Sequence, residues 1–197
     1  MKRRTTHHNV AARRDKIIRT AAKLFASKGY HAATLDEIAR KLGVTKPALY
    51  YYVKSKRQLL EEIVNRIMEP MDRVIQTGKS DLPPIDKLRK IIEILVVFGA
   101  ERKETTLIAF EEQKILTKRT RNAIRSRQKE LERVVQEVLR EGIEQGHFAV
   151  DDVRMTCFAI LAVSNWIYRW YRPNGPLTPM QIAEKFIHLL EYGYIKR

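Results

Sequence analysis

Residues Thr34–Leu60, TLDEIARKLGVTKPALYYYVKSKRQLL, restrict the fold more than any other part of the chain. Leu35, Ile38, Ala39 and Leu42 recur at i, i+3, i+4 and i+7 and give one apolar helix face. Thr34 precedes that face with Glu37 three residues on, the pattern of a capping box. Gly43 stands just past the last apolar position, where a left-handed residue ends a helix most easily. A second helix can open at Thr45, because Pro47 in a first turn forfeits no hydrogen bond. Two short helices joined in this way form a helix-turn-helix, whose second helix enters the DNA major groove. Plain helical hairpins share the spacing, so other parts of the chain must separate the two.

Charge separates them. The chain carries 38 Lys/Arg against 23 Asp/Glu. Residues 1–60 hold fifteen Lys/Arg and three Asp/Glu, whereas residues 61–197 hold twenty-three and twenty. A basic first third on a near-neutral remainder is the footprint of a polyanion-binding head on a body with another task. A lysine-rich soluble surface would explain the total but not the segregation. With 44% apolar and 31% charged residues the chain is globular rather than disordered. Cys157 is the only cysteine, which excludes an intramolecular disulfide and a cysteine-based zinc site and fits a reducing, cytoplasmic setting. The basic N-terminus leads into no apolar run, and the longest uncharged stretch, Met155–Tyr168, falls short of the roughly twenty residues of a membrane-spanning helix. Neither a membrane nor a metal is an expected partner.

The expected fold is all-α, with about nine helices: three in the head and six in the body. Residues 1–10 read as a flexible basic arm, 11–56 as the helix-turn-helix domain and 57–197 as the ligand-binding and dimerisation body. A first helix over about Arg13–Lys28 places Ile18, Ala21, Ala22 and Phe25 on one face, and Gly29 ends it. Ser55 and Gln58 open a linking helix that runs to about Ile67, with Pro70 kinking or ending it. Gly78–Pro84 is a loop; helices are expected along Leu88–Gly99, Glu104–Leu116, Lys118–Gln145 and Asp151–Arg172. Thr178, Pro179 and Gln181 open the last one. No catalytic constellation emerges: Cys157 has no histidine at helical spacing, and Asp151-Asp152 suits a helix N-terminus. The chain does not read as an enzyme.

Head and body together resemble the TetR family of bacterial regulators. The matching pieces are TLDEIARKLGVTKPALY, then Tyr52, Lys54-Ser55-Lys56 and Leu59-Leu60, in the order arm, three-helix head, linking helix and helical body. Val53 departs from the aromatic residue common there but still fills an apolar slot. The recognition helix is Lys46–Tyr52. Lys46, Pro47, Ala48 and Tyr51 are expected at the groove, with Leu49 and Val53 turned inward. Lys46 can reach guanine acceptors or phosphate, and Ala48 a thymine methyl. Thr34 and Thr45 can offer hydroxyls to the DNA backbone, and the resemblance places Tyr50, Tyr52 and Lys56 against phosphates. Packing between head helices is the alternative role for the tyrosines.

The resemblance further implies a homodimer, paired through the last two helices, on a palindromic double-stranded operator. Asp151–Arg172 is apolar all round, so one side can pack on its own core while Ile160, Ser164, Ile167 and Tyr171 meet a partner. Ile182, Phe186, Leu189 and Leu190 of the last helix would join them. A monomer with one deeply buried helix fits the same pattern. Ser164–Pro179, SNWIYRWYRPNGPLTP, looks like the corresponding segment of acyl-CoA-responsive members. That implies a small-molecule effector rather than a cofactor: an acyl-CoA lying along Phe110, Asn165, Trp166 and Trp170, its phosphates met by Arg121, Arg125 and Arg169. A satisfied core amide at Asn165 and a solvated cationic face over Lys118–Arg127 remain the plainer readings. The implied mechanism is repression, relieved when a long-chain or related acyl-CoA moves the linking helix, of genes for lipid or acyl-CoA catabolism. A multidrug sensor of an efflux operon and a non-sensing architectural DNA-binding protein are the alternatives.

Overall fold

In the computed structural model the backbone is described for residues 2–192 and the side chains for residues 11–192. Among the described residues there is no strand. The helices are α1 (Lys2–Lys28), α2 (Leu35–Leu42), α3 (Lys46–Tyr50), α4 (Lys56–Asn65), α5 (Met68–Gly78), α6 (Pro84–Glu101), α7 (Lys103–Glu111), α8 (Lys118–Glu144), α9 (Val153–Asn165), α10 (Ile167–Trp170) and α11 (Pro179–Tyr192). Counting α4/α5 and α9/α10 each as one interrupted helix recovers the expected nine. The linking helix α4 ends at Asn65, close to the expected Ile67, and is interrupted before Pro70, which lies in the first turn of α5, where its missing N–H costs nothing. Residues 2–10, expected as a flexible arm, continue α1. The expected helix to Leu116 stops at Glu111, and Glu112–Thr117 forms a turn that leads into α8.

Two compact units result. One comprises the chain up to Ile67 together with Glu104–Arg121; the other comprises Met68–Lys103 and the chain from Asn122 onward. The head unit thus extends past the expected boundary at residue 56 and recruits a distant segment. In it, α1 packs on α2 and α4, and α2 on α3. Ile18, Ala21, Ala22 and Phe25 are buried as their spacing requires, together with Ile38, Leu49, Val53, Leu59, Leu60 and Ile63. Val53 is 2% exposed, so it serves the apolar slot without an aromatic ring.

Glu61 explains why Glu104–Arg121 belongs to the head. Its carboxylate accepts from the Thr117 amide at 2.7 Å, from the Thr117 hydroxyl at 3.2 Å and from the Thr120 hydroxyl. Thr117 is itself the cap of α8, since its hydroxyl accepts from the Thr120 amide. Burial pushes the Glu61 carboxyl up, but the hydrogen bonds from Thr120 and Thr117 and the charge of Arg57 outweigh it and hold it below its ordinary value. A second carboxylate, Glu112, accepts from the Tyr30 amide at 3.3 Å and ties the turn after α7 to the end of α1.

In the body unit α6 is central, touching α5, α9, α10 and α11. Its Ile91, Ile92, Leu95 and Val96 share a core with Val134, Val135, Val138 and Leu139 of α8. Two glycines fix close approaches. A Cβ on Gly99 would come within 2.6 Å of Ile167 Cγ2, and one on Gly142 would overlap the Phe148 ring. Gly146, at φ +74, ends α8 in a left-handed turn in which the His147 amide donates to Gly142 O at 2.7 Å.

The faces of α9 are the reverse of those expected. Cys157, Ile160, Ser164, Ile167 and Tyr171 point into the body core, and Ile182 of α11 joins them. None of the last five is available to a second chain. Part of the physical reason is a close approach: Ile167 seats against Gly99 of α6, where no side chain stands in its way, and this holds that face inward. Met155 (61% exposed), Phe158 (36%), Leu189 (42%) and Leu190 (36%) therefore lie outside, and Phe186 is half-buried.

Candidate nucleic-acid interface

Each cap that positions the recognition helix is present. The Thr34 hydroxyl accepts from the Glu37 amide at 3.2 Å, and the Glu37 carboxylate accepts from the Thr34 amide at 3.1 Å. The same Glu37 pairs with Lys28, which, followed by the hydrogen bonds from Thr34, holds its carboxyl below the ordinary value. Gly43, at φ +67, closes α2 in the left-handed region that favours glycine. Thr45 caps α3 through the Ala48 amide at 3.4 Å. Thus α2 is fixed by a reciprocal capping box at its start and by Gly43 at its end, and α3 by the Thr45 cap.

The outcome is a short, exposed recognition element. Helical geometry ends at Tyr50, and Tyr51 and Tyr52 continue as a turn in which the Val53 amide still donates to Leu49 O. Leu49 (1% exposed) and Val53 anchor it to the core. Lys46, Pro47, Ala48 and Tyr50 are exposed; Tyr51 is 80% exposed and Tyr52 partly so. Packing between head helices is excluded for Tyr51, whose ring touches that of Tyr52 edge-on at 5.1 Å. Lys46 Nζ lies 3.0 Å from the Asp36 carboxylate, and that hydrogen bond raises the lysine pKa. Asp36 was not among the expected site residues; its place in the first turn of α2, ten residues before Lys46, is a long-range pairing that helical spacing alone does not reveal.

Lys56 requires a correction. Its Nζ donates to the carbonyls of Tyr30 (2.7 Å), His31 (3.1 Å) and Ala33 (2.7 Å) and lies 4.5 Å from the Tyr30 ring centroid. An ammonium has three protons, and all three are spent on the α1–α2 loop. Lys56 ties that loop to the start of α4 and has no donor left for a phosphate.

Beside the recognition element, α1 and α3 border a groove of about 670 Å³. Its floor is Ile17, Leu42, Val44 and Leu49; Tyr51 and Tyr52 stand on one side, Arg13 and Lys16 on the other. The residues expected at an effector divide between the two units. Phe110 (47% exposed) and Arg121 belong to the head unit, where the Arg121 guanidinium donates to Leu116 O. Arg125, Asn165, Trp166, Arg169 and Trp170 belong to the body unit. There Asn165 is half-buried, but Trp166 (58%) and Trp170 (47%) are exposed. Arg169 lies 5.6 Å from the Trp166 ring, and Trp170 meets Phe186 edge-on at 6.3 Å. Trp166 and Trp170 thus lie at the surface of the body unit.

Comparison with known proteins agrees with this geometry. The family model for bacterial regulatory proteins, tetR family, matches residues 17–63, and that for the tetracyclin repressor-like C-terminal domain matches residues 81–193. The HTH-type transcriptional repressor KstR2 of Mycolicibacterium smegmatis is 28% identical over 190 residues, covering 93% of this chain and 91% of its own. The structure of the ketosteroid transcriptional regulator KstR2 of Mycobacterium tuberculosis matches with a TM-score of 0.83 at 26% identity, covering 94% of this chain and 96% of that one. The structure of AibR in complex with isovaleryl coenzyme A and operator DNA matches with a TM-score of 0.72 at 29% identity, covering 91% and 98%. With its capped helix-turn-helix, basic head and helical body, this chain belongs to the TetR family of bacterial transcriptional regulators and is a DNA-binding protein rather than an enzyme.

Proposed function

We propose that the protein is a cytoplasmic, homodimeric repressor released from a palindromic operator by an acyl-CoA thioester, and that it controls genes of lipid or acyl-CoA catabolism. The observation that carries an acyl-CoA effector is the likeness over nearly the whole chain to AibR, whose structure holds isovaleryl coenzyme A and operator DNA together, and the direction of the response is what the titration below decides. The KstR2 relatives add support for repression as the sign of regulation. The outer apolar face of α9 and α11, formed by Met155, Phe158, Leu189 and Leu190, supports dimerisation, because covering it removes large side chains from water. The exposed Arg125 suits the phosphates of coenzyme A.

The ligand releases DNA only through its different affinities for the free and bound states. The experiment is titration of a labelled duplex, selected from a randomised pool by the protein, with isovaleryl-CoA, a long-chain acyl-CoA and free coenzyme A. One thioester should lower duplex affinity by about five- to 150-fold, the usual range of allosteric coupling. Unchanged affinity with every thioester at saturation overturns the effector class while leaving DNA binding intact.

A further inference from the structure

The head carries more positive charge than its recognition helix can use, and part of it is already paired. Arg14 binds Glu62, Lys28 binds Glu37, Lys46 binds Asp36 and Arg66 binds Asp15. Lys56 is spent on three carbonyls. Arg13 and Lys16 differ from these. Both are exposed, and among the described residues of the head they are the two cations that line the groove beside the recognition element. They stand at i and i+3 on α1, so their side chains leave the helix on the same side, about 5–6 Å apart at Cβ. Ile17, the residue after Lys16, is buried and fixes the neighbouring side of α1 against the core.

Across the groove from Arg13 and Lys16 stand Ala48, Tyr51 and Tyr52 of the recognition element. No acidic side chain lines the groove, and its floor is apolar. A single edge of nucleic acid matches this arrangement: deoxyribose over an uncharged floor, with anionic phosphates directed to the cationic rim. We propose that Arg13 and Lys16 of α1 bind two backbone phosphates of the DNA strand that borders the recognition helix, so that the groove seats the sugar–phosphate backbone and sets how deeply α3 enters the major groove. The proposal rests on the assignment of DNA binding and is independent of any effector. It gives α1 a positioning role: the two cations contact phosphate, carry no base information, and hold Lys46, Ala48 and Tyr51 in register with the bases.

Each phosphate neutralised contributes about −0.9 to the slope of log affinity against log salt on duplex DNA. Two contacts therefore contribute about −1.8 per head. Between about 50 and 200 mM salt the wild type should lose about twelve-fold more affinity per head than a chain lacking them. The experiment compares the full-length wild type, R13Q/K16Q and K129Q/R140Q on two duplexes, one selected by the wild type from a randomised pool and one of scrambled sequence. Glutamine keeps helix propensity at the exposed α1 positions, and the thermal midpoint checks folding. The K129Q/R140Q chain removes two exposed charges from α8 of the body unit and controls for the general field of the protein.

The expected result is a slope shallower by about 1.8 per head for R13Q/K16Q on both duplexes, with the ratio between the duplexes kept within about threefold. An unchanged slope overturns the proposal. So does an equal change in K129Q/R140Q, which would make the effect a long-range field, or a collapsed duplex ratio at unchanged slope, which would make the two residues part of base reading. Failure of the wild type to prefer any duplex is a different outcome, because it rejects sequence-selective DNA binding itself.

Discussion

Replacing Lys56 by Met tests the reassignment of that residue from phosphate contact to internal tie. Methionine keeps an unbranched apolar stem of similar length, so the lost quantities are the charge and its three hydrogen bonds. Two of the three carbonyls belong to Tyr30 and Ala33, 8% and 0% exposed, where water replaces the ammonium poorly. The third, on the exposed His31, is rehydrated. A buried acceptor left unpaired costs about 1–3 kcal/mol, and the ammonium–ring contact adds about 0.5–1 kcal/mol. Because neighbouring losses do not add fully, the net should be about 2–4 kcal/mol. For a chain of this size that lowers the thermal midpoint by about 5–15 °C. Scanning calorimetry reads the midpoint, and a salt titration on duplex DNA reads phosphate contacts. The tie predicts a lower midpoint with the salt slope intact. An unchanged midpoint with a slope shallower by about 0.9 per head would refute the reasoning and restore Lys56 to the DNA.

Three further outcomes follow from the packing. Ile160→Ala, at a site 3% exposed, should cost about 2–4 kcal/mol in urea unfolding, whereas Phe158→Ser on the outer face should leave the monomer's stability within about 1 kcal/mol and change the mass found by sedimentation. Glu61 has its carboxyl held below its ordinary 4.5, so its contribution is fully present above that value and is lost as pH falls through the lower, folded one. The difference in urea midpoint between the wild type and Glu61→Gln should therefore be largest near neutrality and shrink below about pH 4, and a difference independent of pH would refute the latch. The Cys157 thiol is buried and pushed up to about 11, chiefly by burial, so iodoacetamide at pH 8 should label it only on unfolding; mass spectrometry of the native chain reads this directly.

The head was legible because its signals are local. Thr34 with Glu37, Gly43, and Thr45 with Pro47 are caps and turns whose chemistry acts within four residues, and each appears as the spacing predicts. The body yielded its helices but not their facing. Asp151–Arg172 is apolar on both sides, so hydrophobic periodicity cannot say which side is inward. A distinguishing signal lies outside that stretch: the distant Gly99 admits the Ile167 side chain to a close approach. Lys56, Glu61 and Asp36 were misread or passed over for a related reason. Their partners, at Tyr30, Thr117 and Lys46, lie ten to fifty-six residues away, beyond the reach of helical spacing. The helix expected to reach Leu116 ended early because Glu112 and Thr117 are engaged by such distant groups.

The reading head is discontinuous in sequence, and that has a consequence for recombination. A chimera joined at Ile67 would move α1–α4 intact yet leave Glu61 facing whatever its new neighbour offers in place of Thr117 and Thr120. The Tyr30 amide would likewise lose Glu112. A transplantable head is therefore two inserts, the chain up to Ile67 and Glu104–Arg121, and the second lies inside what sequence order alone would assign to the sensor. Shuffling of operator specificities among relatives would have to carry that inner segment along, or conserve an acceptor for it, at every crossover.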